Sequence, residues 1–351
     1  MTQLIPKHYS HTLPGGDPNF FRLERDGLTQ GALMRWMLCP EKCRLSLLNG
    51  LGMAYRKDAI EFGNIVHFNL ELVYGWYGDN IAMHRTVSMQ EILGFSEHML
   101  RKQEMIAYGQ VMSDADNKAM QSNYRVAAEI LALYYQRYPG DFLTKEWVML
   151  EKELATPYNT TIDGIDCTFP LRGKVDGLLR QSRGSKGLWL FDTKTKGSID
   201  EPSIVPRLGY DFQMGFYMYL IKMIYNEQVD GLIYSLIKRP GLRQKVSETV
   251  DEYAKRCGLD AYNAPDDYFK RIECIWTPID TVRFEEEMHT VINSFVRWYI
   301  HGEPNYRNSA NCHNGLWKCE FIPTCSAGDI DTLKINDRPY PELVASLPQM
   351  E

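Results

Sequence analysis

The sequence predicts an α/β or α+β fold, in which a short mixed sheet is flanked by helices that precede and follow it in the chain. Helical hydrophobic spacing dominates residues 32–140. Alternating, aromatic-rich patterns that are typical of strands then occupy 146–154, 167–180 and 187–195. We therefore expect the N-terminal helices to pack as a lobe over a sheet that the middle of the chain builds.

The composition is that of a folded protein. The chain has 351 residues, a length that suits one large domain or two ordinary ones. Hydrophobic residues make up 44% and charged residues 24%, so wholesale disorder is excluded and a sizeable core is expected. The net charge of -6 argues against a protein that coats nucleic acid with uniform positive charge, but it leaves room for a local basic groove.

No targeting or membrane-spanning pattern is visible in the sequence. The apolar runs are too short for a transmembrane helix, and the N-terminal residues contain neither an apolar signal core nor a basic amphipathic helix. We therefore expect an intracellular, cytoplasmic protein without a membrane partner.

The first part of the chain is predicted to be an arm followed by helices. Residues 1–31, rich in Pro, Gly and polar residues, predict an extended arm. The helical signals that follow are the spacing of 32–49 and 57–77, a capping-box pattern at Ser88 and Glu91, and the long stretch 114–138. Pro40 occupies a suitable first-turn position for a second helix. We assign 32–140 to a helical lobe.

The second part of the chain is predicted to form the core and a cysteine-rich end. Helical spacing returns at 207–227 and 280–301, and strand patterns occupy 231–238 and 272–277. The core is assigned to 141–301, a cysteine cluster to 302–325 together with Cys39, and a polar tail to 326–351.

The most informative stretch is a predicted hairpin between Gly173 and Gly197. Two apolar strands flank a Ser-Arg-Gly-Ser turn, and a turn that is symmetric about Gly184 places Asp176 directly opposite Asp192. Opposed side chains in a hairpin have Cβ atoms roughly 4.5–5.5 Å apart. Lys194, two residues beyond Asp192, projects from the same strand face. Two carboxylates and an ammonium group are therefore expected to converge.

This combination of groups suits phosphodiester hydrolysis. Two facing carboxylates repel each other unless a divalent cation lies between them. Mg²⁺ or Mn²⁺ held there lowers the pKa of a bound water, and a lysine orients that water and offsets charge on the phosphate. Basic residues also outnumber the two acids between 172 and 197, as an anionic substrate requires. The simpler interpretation of an isolated Asp-x-Lys is a solvated strand end.

An aspartate followed by a hairpin and Asp192-Thr-Lys194 resembles the PD-(D/E)XK nuclease superfamily, although the second acid there is usually Glu. The helical patterns Gly63-x-x-x-His67 and Gln213-x-x-x-Tyr217 resemble motifs of its RecB-like members. We expect the missing side chain of Gly63 to leave room for metal or DNA beside His67. A helical histidine on its own is more often a packing residue.

The resemblance spans residues 32–325 and implies a restriction-endonuclease-like core with an assigned site. The implied metal ligands are His67, Asp176, Asp192 and the carbonyl of Thr193. Lys194, Asp192 and Asp176 carry the implied catalysis. Gln213 and Tyr217 are implied to hydrogen-bond substrate or ligands. Glu71, one turn beyond His67, is a candidate second-layer partner or an ordinary surface acid.

The cysteines suggest a second, structural site. Cys312, Cys319 and Cys325 lie within fourteen residues, and Cys39 precedes Pro40 near the other end of the chain. Without a secretory signal this grouping indicates metal or cluster ligation rather than disulfides. A four-cysteine zinc site is one alternative, but zinc modules usually contain a C-x2-C pair, which is missing here. Buried inert thiols are another.

The cysteine pattern resembles the iron–sulfur branch of the RecB-like nucleases. That branch includes the AddB nuclease domain and CRISPR-adaptation nucleases, and similar spacings occur in nucleases of bacterial viruses. The resemblance implies a 4Fe-4S cluster held by Cys39, Cys312, Cys319 and Cys325. Cys43, one helical turn after Cys39, is an alternative fourth ligand.

These observations together predict a divalent-metal-dependent DNA nuclease. The resemblance implies an exonuclease that acts on single-stranded ends in recombination or repair, with recombination or replication proteins as candidate partners. The alternatives are an endonuclease or processing nuclease of the same superfamily, and a non-catalytic DNA-binding scaffold in which a structural zinc site links the two ends of the chain. Residues 239–277 mix basic and aromatic side chains, and we expect either a DNA-holding insertion or an ordinary surface segment.

Overall fold

The computed structural model describes residues 20–53, 58–108, 113–181, 187–302, 305–314, 317–340 and 343. Its helices are α1 (Leu23–Asp26), α2 (Gln30–Leu38), α3 (Pro40–Cys43), α4 (Asp58–Ala82), α5 (Met89–Tyr108), α6 (Asp114–Arg137), α7 (Gly140–Leu143), α8 (Glu201–Leu208), α9 (Phe212–Tyr225), α10 (Val250–Asn263), α11 (Pro265–Tyr268), α12 (Pro278–His301) and α13 (Ile322–Ala327). A π-helical turn, Arg44–Leu48, follows α3. None of the described helices combines the length and the apolar content that a membrane span requires.

The strands are β1 (Leu28–Thr29), β2 (Leu51–Met53), β3 (Lys145–Ile162), β4 (Ile165–Gln181), β5 (Leu188–Lys196), β6 (Val229–Lys238), β7 (Phe269–Ile275), β8 (His313–Asn314), β9 (Trp317–Lys318) and β10 (Leu333–Ile335). A six-stranded mixed sheet has the order β1-β4-β5-β6-β7, with β3 also paired to β4. The β1–β4 and β5–β6 pairs are parallel and the others are antiparallel. This confirms the predicted mixed sheet with flanking helices.

The sheet separates two hydrophobic cores. On one face, strand residues such as Leu190 and Leu232 pack with Phe216 of α9 and Phe295 of α12. On the other face lies the core of α4, α5, α6 and α10, which includes Val66 and also Ile237 of β6. Because side chains alternate along a strand, β5 and β6 contribute to both layers. Of the segment predicted as a helical lobe, α4, α5 and α6 lie in the layer on the second face, whereas α2 packs in the first core with α9 and α12.

Two segments that were expected to be extended or polar are built into this fold. Residues 20–31 were assigned to an arm, but they form α1 and β1, and Phe21 and Leu23 are fully buried. In the tail, β10 pairs with β2, and the Tyr340 hydroxyl donates a 2.9 Å hydrogen bond to the Gly27 carbonyl. Local composition misses these contacts because each depends on partners that are distant in the sequence. Residues 1–19 lie outside the described residues.

The basic and aromatic segment 239–277 is not an insertion. Its helix α10 packs against α6, and β7 is the edge strand of the main sheet. Several of its side chains serve the fold, since Phe269 is buried and Arg271 is bound inside the core. The loop 239–249 between β6 and α10 is its longest irregular stretch.

A buried ionic cluster joins the helical lobe to the sheet. Asp141, which is 1% exposed, accepts hydrogen bonds from Arg271, Lys145 and the Tyr74 hydroxyl. Burial alone would raise the pKa of Asp141, but the Arg271 guanidinium and the Lys145 ammonium outweigh it, so that pKa lies below its ordinary value. The Arg271 side chain also lies over the Tyr138 ring, 3.8 Å from its centroid. The cluster therefore fixes α6 and α7 against β7.

Candidate active site

The hairpin of β4 and β5 has the predicted register. Gly177 lies opposite Phe191 and Leu178 opposite Leu190, which makes Asp176 and Asp192 the next facing positions. The turn centred on Gly184 lies outside the described residues. The paired ladder ends at Gly177, and beyond it the Oδ2 atom of Asp176 accepts a 2.8 Å hydrogen bond from the Thr193 amide. The two carboxylates therefore stand at the end of the ladder, where a hydrogen bond from a backbone amide to a side-chain carboxylate links the strands.

His67 reaches this point from α4. Its Nδ1 atom lies 3.3 Å from Asp176 Oδ2 and 3.4 Å from Glu151 Oε1. Gly63 explains how the helix approaches so closely, because a Cβ atom there would lie 2.9 Å from the Thr195 hydroxyl of β5. The missing side chain of Gly63 thus makes room for β5. The expectation that it clears space for metal or DNA is not supported, since the neighbour is Thr195.

Glu151 is the site residue that sequence reasoning missed. In the β3–β4 register Leu150 faces Gly177 and Lys152 faces Val175, so Glu151 stands across from Asp176. Its backbone has a φ of +44°, in the left-handed region that non-glycine residues rarely adopt, and a register irregularity lies nearby at Trp147. Strain of this kind concentrates at functional sites. The one available signal in the sequence is an acidic residue on the strand before the hairpin. Glu153 on the same strand carries that signal too, so it does not single out Glu151.

His67, Glu151 and Asp176 form a group that fits a divalent cation. One ligand atom from each lies within 4.8 Å of the others, the only such group among the described residues. Burial alone would lower the pKa of His67, but the carboxylates of Asp176 and Glu151 raise it to about 9. Burial opposes the charge of Glu151 as well, yet His67 and Lys174 hold the pKa of Glu151 below its ordinary value. An imidazole nitrogen with two carboxylate oxygens is a donor set suited to Mn²⁺ or Mg²⁺.

Asp192 and Lys194 form a buried ion pair beside this group. Asp192 is 1% exposed, and its two oxygens lie 2.8 and 2.7 Å from the Lys194 Nζ atom. Burial raises the pKa of Asp192 to about 7, against the opposing effect of Lys194. Burial alone would lower the pKa of Lys194, but Asp192 and Asp176 hold it above its ordinary value. The structure thus brings Asp192 close to the three-residue group without including it there.

Gln213 and Tyr217 of α9 line a cavity that the three-residue group also lines. The Gln213 side chain donates a 3.0 Å hydrogen bond to the Tyr217 hydroxyl, and Gln30 of α2 donates one of 3.4 Å to that same oxygen. Gly173 permits this arrangement, because a Cβ atom there would lie 2.9 Å from the Tyr217 ring. Gln30 carried no signal in the sequence.

The cavity itself has a volume of about 550 Å³. Its lining includes His67, Glu151, Asp176, Gln213 and Tyr217. Lys174 also lines it, 2.7 Å from Glu151, and so does Glu71, whose pKa is raised by burial and by the Glu151 carboxylate. Acids, cations and amides therefore surround one space that is open to a substrate.

The cysteines lie on segments that meet. The Asn308 amide donates to the Cys39 sulfur over 3.4 Å, and the Cys312 thiol donates to the Asn308 carbonyl over 3.7 Å. Burial, Glu41 and the nearby thiols of Cys319 and Cys39 raise the pKa of Cys325 to about 11. Within the described parts of the chain no three cysteine sulfurs come within 4.8 Å of one another. Cys43 is fully buried, and its thiol contacts the Ala32 carbonyl at 3.8 Å.

Comparison with known proteins places the chain in a family. A crystal structure of a candidate exonuclease from Eubacterium rectale is 14% identical, with 86% of this chain and 93% of that chain covered and a TM-score of 0.40. The crystal structure of SSO0001 is 15% identical, with 59% and 93% covered and a TM-score of 0.24. No curated protein matches with significance. The sequence model of one family matches residues 28–326, which is most of the chain. The chain belongs to the PD-(D/E)XK nuclease superfamily.

Proposed function

We propose that this protein is a divalent-metal-dependent DNA exonuclease that acts on single-stranded ends. Membership of the superfamily implies a metal-dependent nuclease with DNA as its substrate. The observation that carries the proposal is the meeting of His67, Glu151 and Asp176 beside the Asp192–Lys194 ion pair. The preference for single-stranded ends, and a role in recombination or repair with partner proteins, rest on the motif resemblance.

In this proposal His67, Asp176, Asp192 and the Thr193 carbonyl hold the cation, and Glu151 joins them. The hydrogen bond from the Thr193 amide supports this assignment, because it fixes Asp176 Oδ2, the oxygen that also lies beside His67. Mg²⁺ or Mn²⁺ bound there supplies charge neutralisation at the phosphate and a water of lowered pKa. To act as a ligand, His67 would give up the proton that its two carboxylate neighbours favour.

The remaining residues orient the reactants. Lys194 stays protonated, and Asp192 positions its ammonium group, which then directs the attacking water and offsets charge on the phosphate. Gln213, Gln30 and the hydroxyl of Tyr217 present hydrogen-bond groups along the cavity wall for the substrate. Lys174 adds a cation on the same wall, where a phosphate can compete with Glu151 for it.

We also propose that Cys39, Cys312, Cys319 and Cys325 hold a 4Fe-4S cluster. The contacts through Asn308 support it, since they bring the N-terminal cysteine to the C-terminal segment. A tetrahedral zinc site with Zn–S bonds of ~2.3 Å needs sulfurs only ~3.8 Å apart. Among the described residues no three cysteine sulfurs approach one another within 4.8 Å, so the thiols are not arranged as a closed zinc site. Cys43 is not included, because its thiol is fully buried and faces the Ala32 carbonyl.

The deciding experiment uses end-labelled linear and closed circular single-stranded DNA with Mg²⁺ or Mn²⁺. We expect the linear strand to be degraded to short products while the circle persists. Cleavage of the circle would favour the endonuclease alternative. Binding of both without cleavage under either metal would favour the non-catalytic scaffold and overturn the proposal.

A further inference from the structure

The loop 239–249 begins at the end of the sheet where the proposed catalytic lysine, Lys194, also lies. The parallel strands β5 and β6 end side by side, with Lys196 paired to Lys238. The Arg239 amide then donates a 2.7 Å hydrogen bond to the Lys196 carbonyl. Lys194 lies two residues before Lys196, a distance of ~6.6 Å along a strand. The loop therefore begins on the strand next to β5, about two residues beyond the level of Lys194.

The loop is irregular but firmly held. The Glu248 carboxylate accepts hydrogen bonds of 2.7 and 2.8 Å from the Arg256 guanidinium and one of 3.0 Å from the Lys245 amide. Arg256 also donates to the Arg243 carbonyl, and the Tyr253 hydroxyl of α10 donates to the Leu242 carbonyl. These bonds fix the loop backbone against α10, so the side chains at its tip are presented in a set geometry.

The side chains of Arg243, Lys245 and Val246 on this loop are exposed to solvent. Val246 has a relative exposure of 106%, the highest among the exposed large hydrophobic residues. Arg243 and Lys245 on the same loop are exposed, and neither side chain has an ion pair in the part of the chain that the structure describes. Neighbouring cations differ, since Arg256 pairs with Glu248 and Lys270 with Glu201. A rigid loop that displays an apolar tip beside two exposed cations suits a partner that is both anionic and apolar.

We propose that loop 239–249 is a DNA-contact loop for the strand that enters the active site, an inference that rests on the proposed nuclease function. Arg243 and Lys245 bind phosphates on that strand, which is the sequence-independent part of DNA binding. Val246 packs against an exposed base, as apolar side chains of DNA-binding proteins do where bases are unstacked. Single-stranded DNA offers both surfaces together, and the loop's charge opposes that of its phosphates.

The test measures binding of a labelled single-stranded oligonucleotide over a range of salt concentrations, with Ca²⁺ as the metal and with the DNA checked on a gel for integrity. Loss of two phosphate contacts in Arg243→Ala/Lys245→Ala should make the slope of log affinity against log salt shallower by about 1.4. Val246→Ser should weaken binding roughly fivefold and leave that slope unchanged, because only an apolar contact is lost. All three residues are exposed, so the variants should unfold at the temperature of the wild type.

Two control variants match these changes elsewhere on the surface. Lys102→Ala/Lys118→Ala removes the same charge from α5 and α6, and Val282→Ser removes an exposed valine from α12. Neither should alter affinity or slope. The loop assignment is overturned if the wild type cleaves DNA but the loop variants bind with the affinity and slope of their controls, which would point to a protein partner for the loop. Failure of the wild type to cleave any strand overturns the proposed function instead, whatever the loop variants do.

Discussion

The Thr193 amide donates a 2.8 Å hydrogen bond to the Oδ2 atom of Asp176, which ties the two acidic strands together where their ladder has ended. Without that bond, the mutual repulsion of Asp176 and Asp192 would tend to separate β4 and β5 at this end. With it, Asp176 is held in reach of both His67 and the Asp192–Lys194 pair. One carboxylate thus belongs to both halves of the site.

Lys194 should be required for cleavage but not for folding or DNA binding. We expect Lys194→Ala to reduce the cleavage rate of single-stranded DNA by at least about 100-fold, since it removes the group that orients water and offsets developing charge. The substitution also leaves Asp192 buried without its cation. The melting temperature and the DNA affinity in Ca²⁺ should therefore both be measured beside the cleavage rate. Lys196→Ala, two residues further along β5 and exposed, is the matched control. Near-normal turnover by Lys194→Ala would remove this assignment.

Metal preference should report whether His67 and Glu151 are ligands. An imidazole beside carboxylates should let Mn²⁺ support cleavage at least as well as Mg²⁺, whereas Ca²⁺ should bind without efficient cleavage. Replacement of His67 by Ala should weaken Mn²⁺ affinity most, and Glu151→Gln should weaken the affinity for both metals. Calorimetric titration of the protein with Mn²⁺ measures this without DNA. Glu153→Gln is the control, because Glu153 pairs with Arg172 outside the site. Wild-type titration curves for both site variants would reduce His67 and Glu151 to packing residues.

The sequence allowed the hairpin half of the site to be predicted because its geometry is local. Strand alternation and a symmetric turn determine which residues of β4 and β5 face each other, and Asp176 and Asp192 follow from that. Glu151 could not be predicted, since its position depends on how β3 pairs with β4. It also depends on a positive φ at Glu151, which no pattern in the sequence indicates. Gln30 reaches Tyr217 only because β1 pairs with β4, a long-range contact within a segment that looks like an arm.

Gly63 should be required for helix α4 to pack on β5. In Gly63→Ala the new Cβ atom would lie 2.9 Å from the Thr195 hydroxyl, so we expect overpacking to cost about 1–3 kcal/mol in the free energy of unfolding and to displace His67. Thr195→Ala removes that oxygen and should rescue the variant, which a double-mutant cycle in urea would measure. Gly75→Ala on the same helix meets nothing within 4 Å and should instead stabilise the protein by up to about 1 kcal/mol. Equal effects of Gly63→Ala and Gly75→Ala would contradict this packing account.

Asp141 should make a large contribution to the stability of the fold and to the loss of that stability at acidic pH. Asp141→Ala leaves Arg271 and Lys145 buried without their anion, and we expect a loss of about 3–5 kcal/mol in the free energy of unfolding. Asp266→Ala breaks an exposed pair with Arg137 and should cost less than about 1 kcal/mol.

The pH dependence of stability gives an independent measure of the same carboxylate. Because the folded state holds the pKa of Asp141 below its ordinary value, its contribution is complete above that ordinary value and is lost as the pH falls through the lowered one. Wild-type stability, followed by urea unfolding, should therefore fall more steeply than that of Asp141→Ala at acidic pH below about 4. Parallel pH profiles for the two proteins would show that Asp141 is not the charged centre of this cluster.

The cysteines should act as a staple between the two ends of the chain rather than as part of the catalytic centre. Asn308 connects Cys39 at the end of α2 to Cys312, so a shared cluster would tie the first helices to the C-terminal segment across the nuclease core. Cluster ligation should then contribute directly to folding, because the unfolded chain has no such site. Protein purified without air should be brown, with the broad visible absorbance of thiolate-bound iron and about four iron atoms per chain. Cys319→Ala should be colourless and poorly soluble.

Three cysteines outside this group provide the controls for the staple. Cys167→Ala and Cys257→Ala should keep the colour and the iron, since each of these thiols is buried in a hydrophobic core that contains none of the four proposed cluster ligands. Cys43→Ala tests the alternative ligand, and because that thiol faces the Ala32 carbonyl we expect its iron content to match the wild type. Colourless wild type with one zinc per chain would exclude the iron–sulfur cluster but keep the staple. Wild type with neither metal, together with a soluble and active Cys319→Ala, would exclude both.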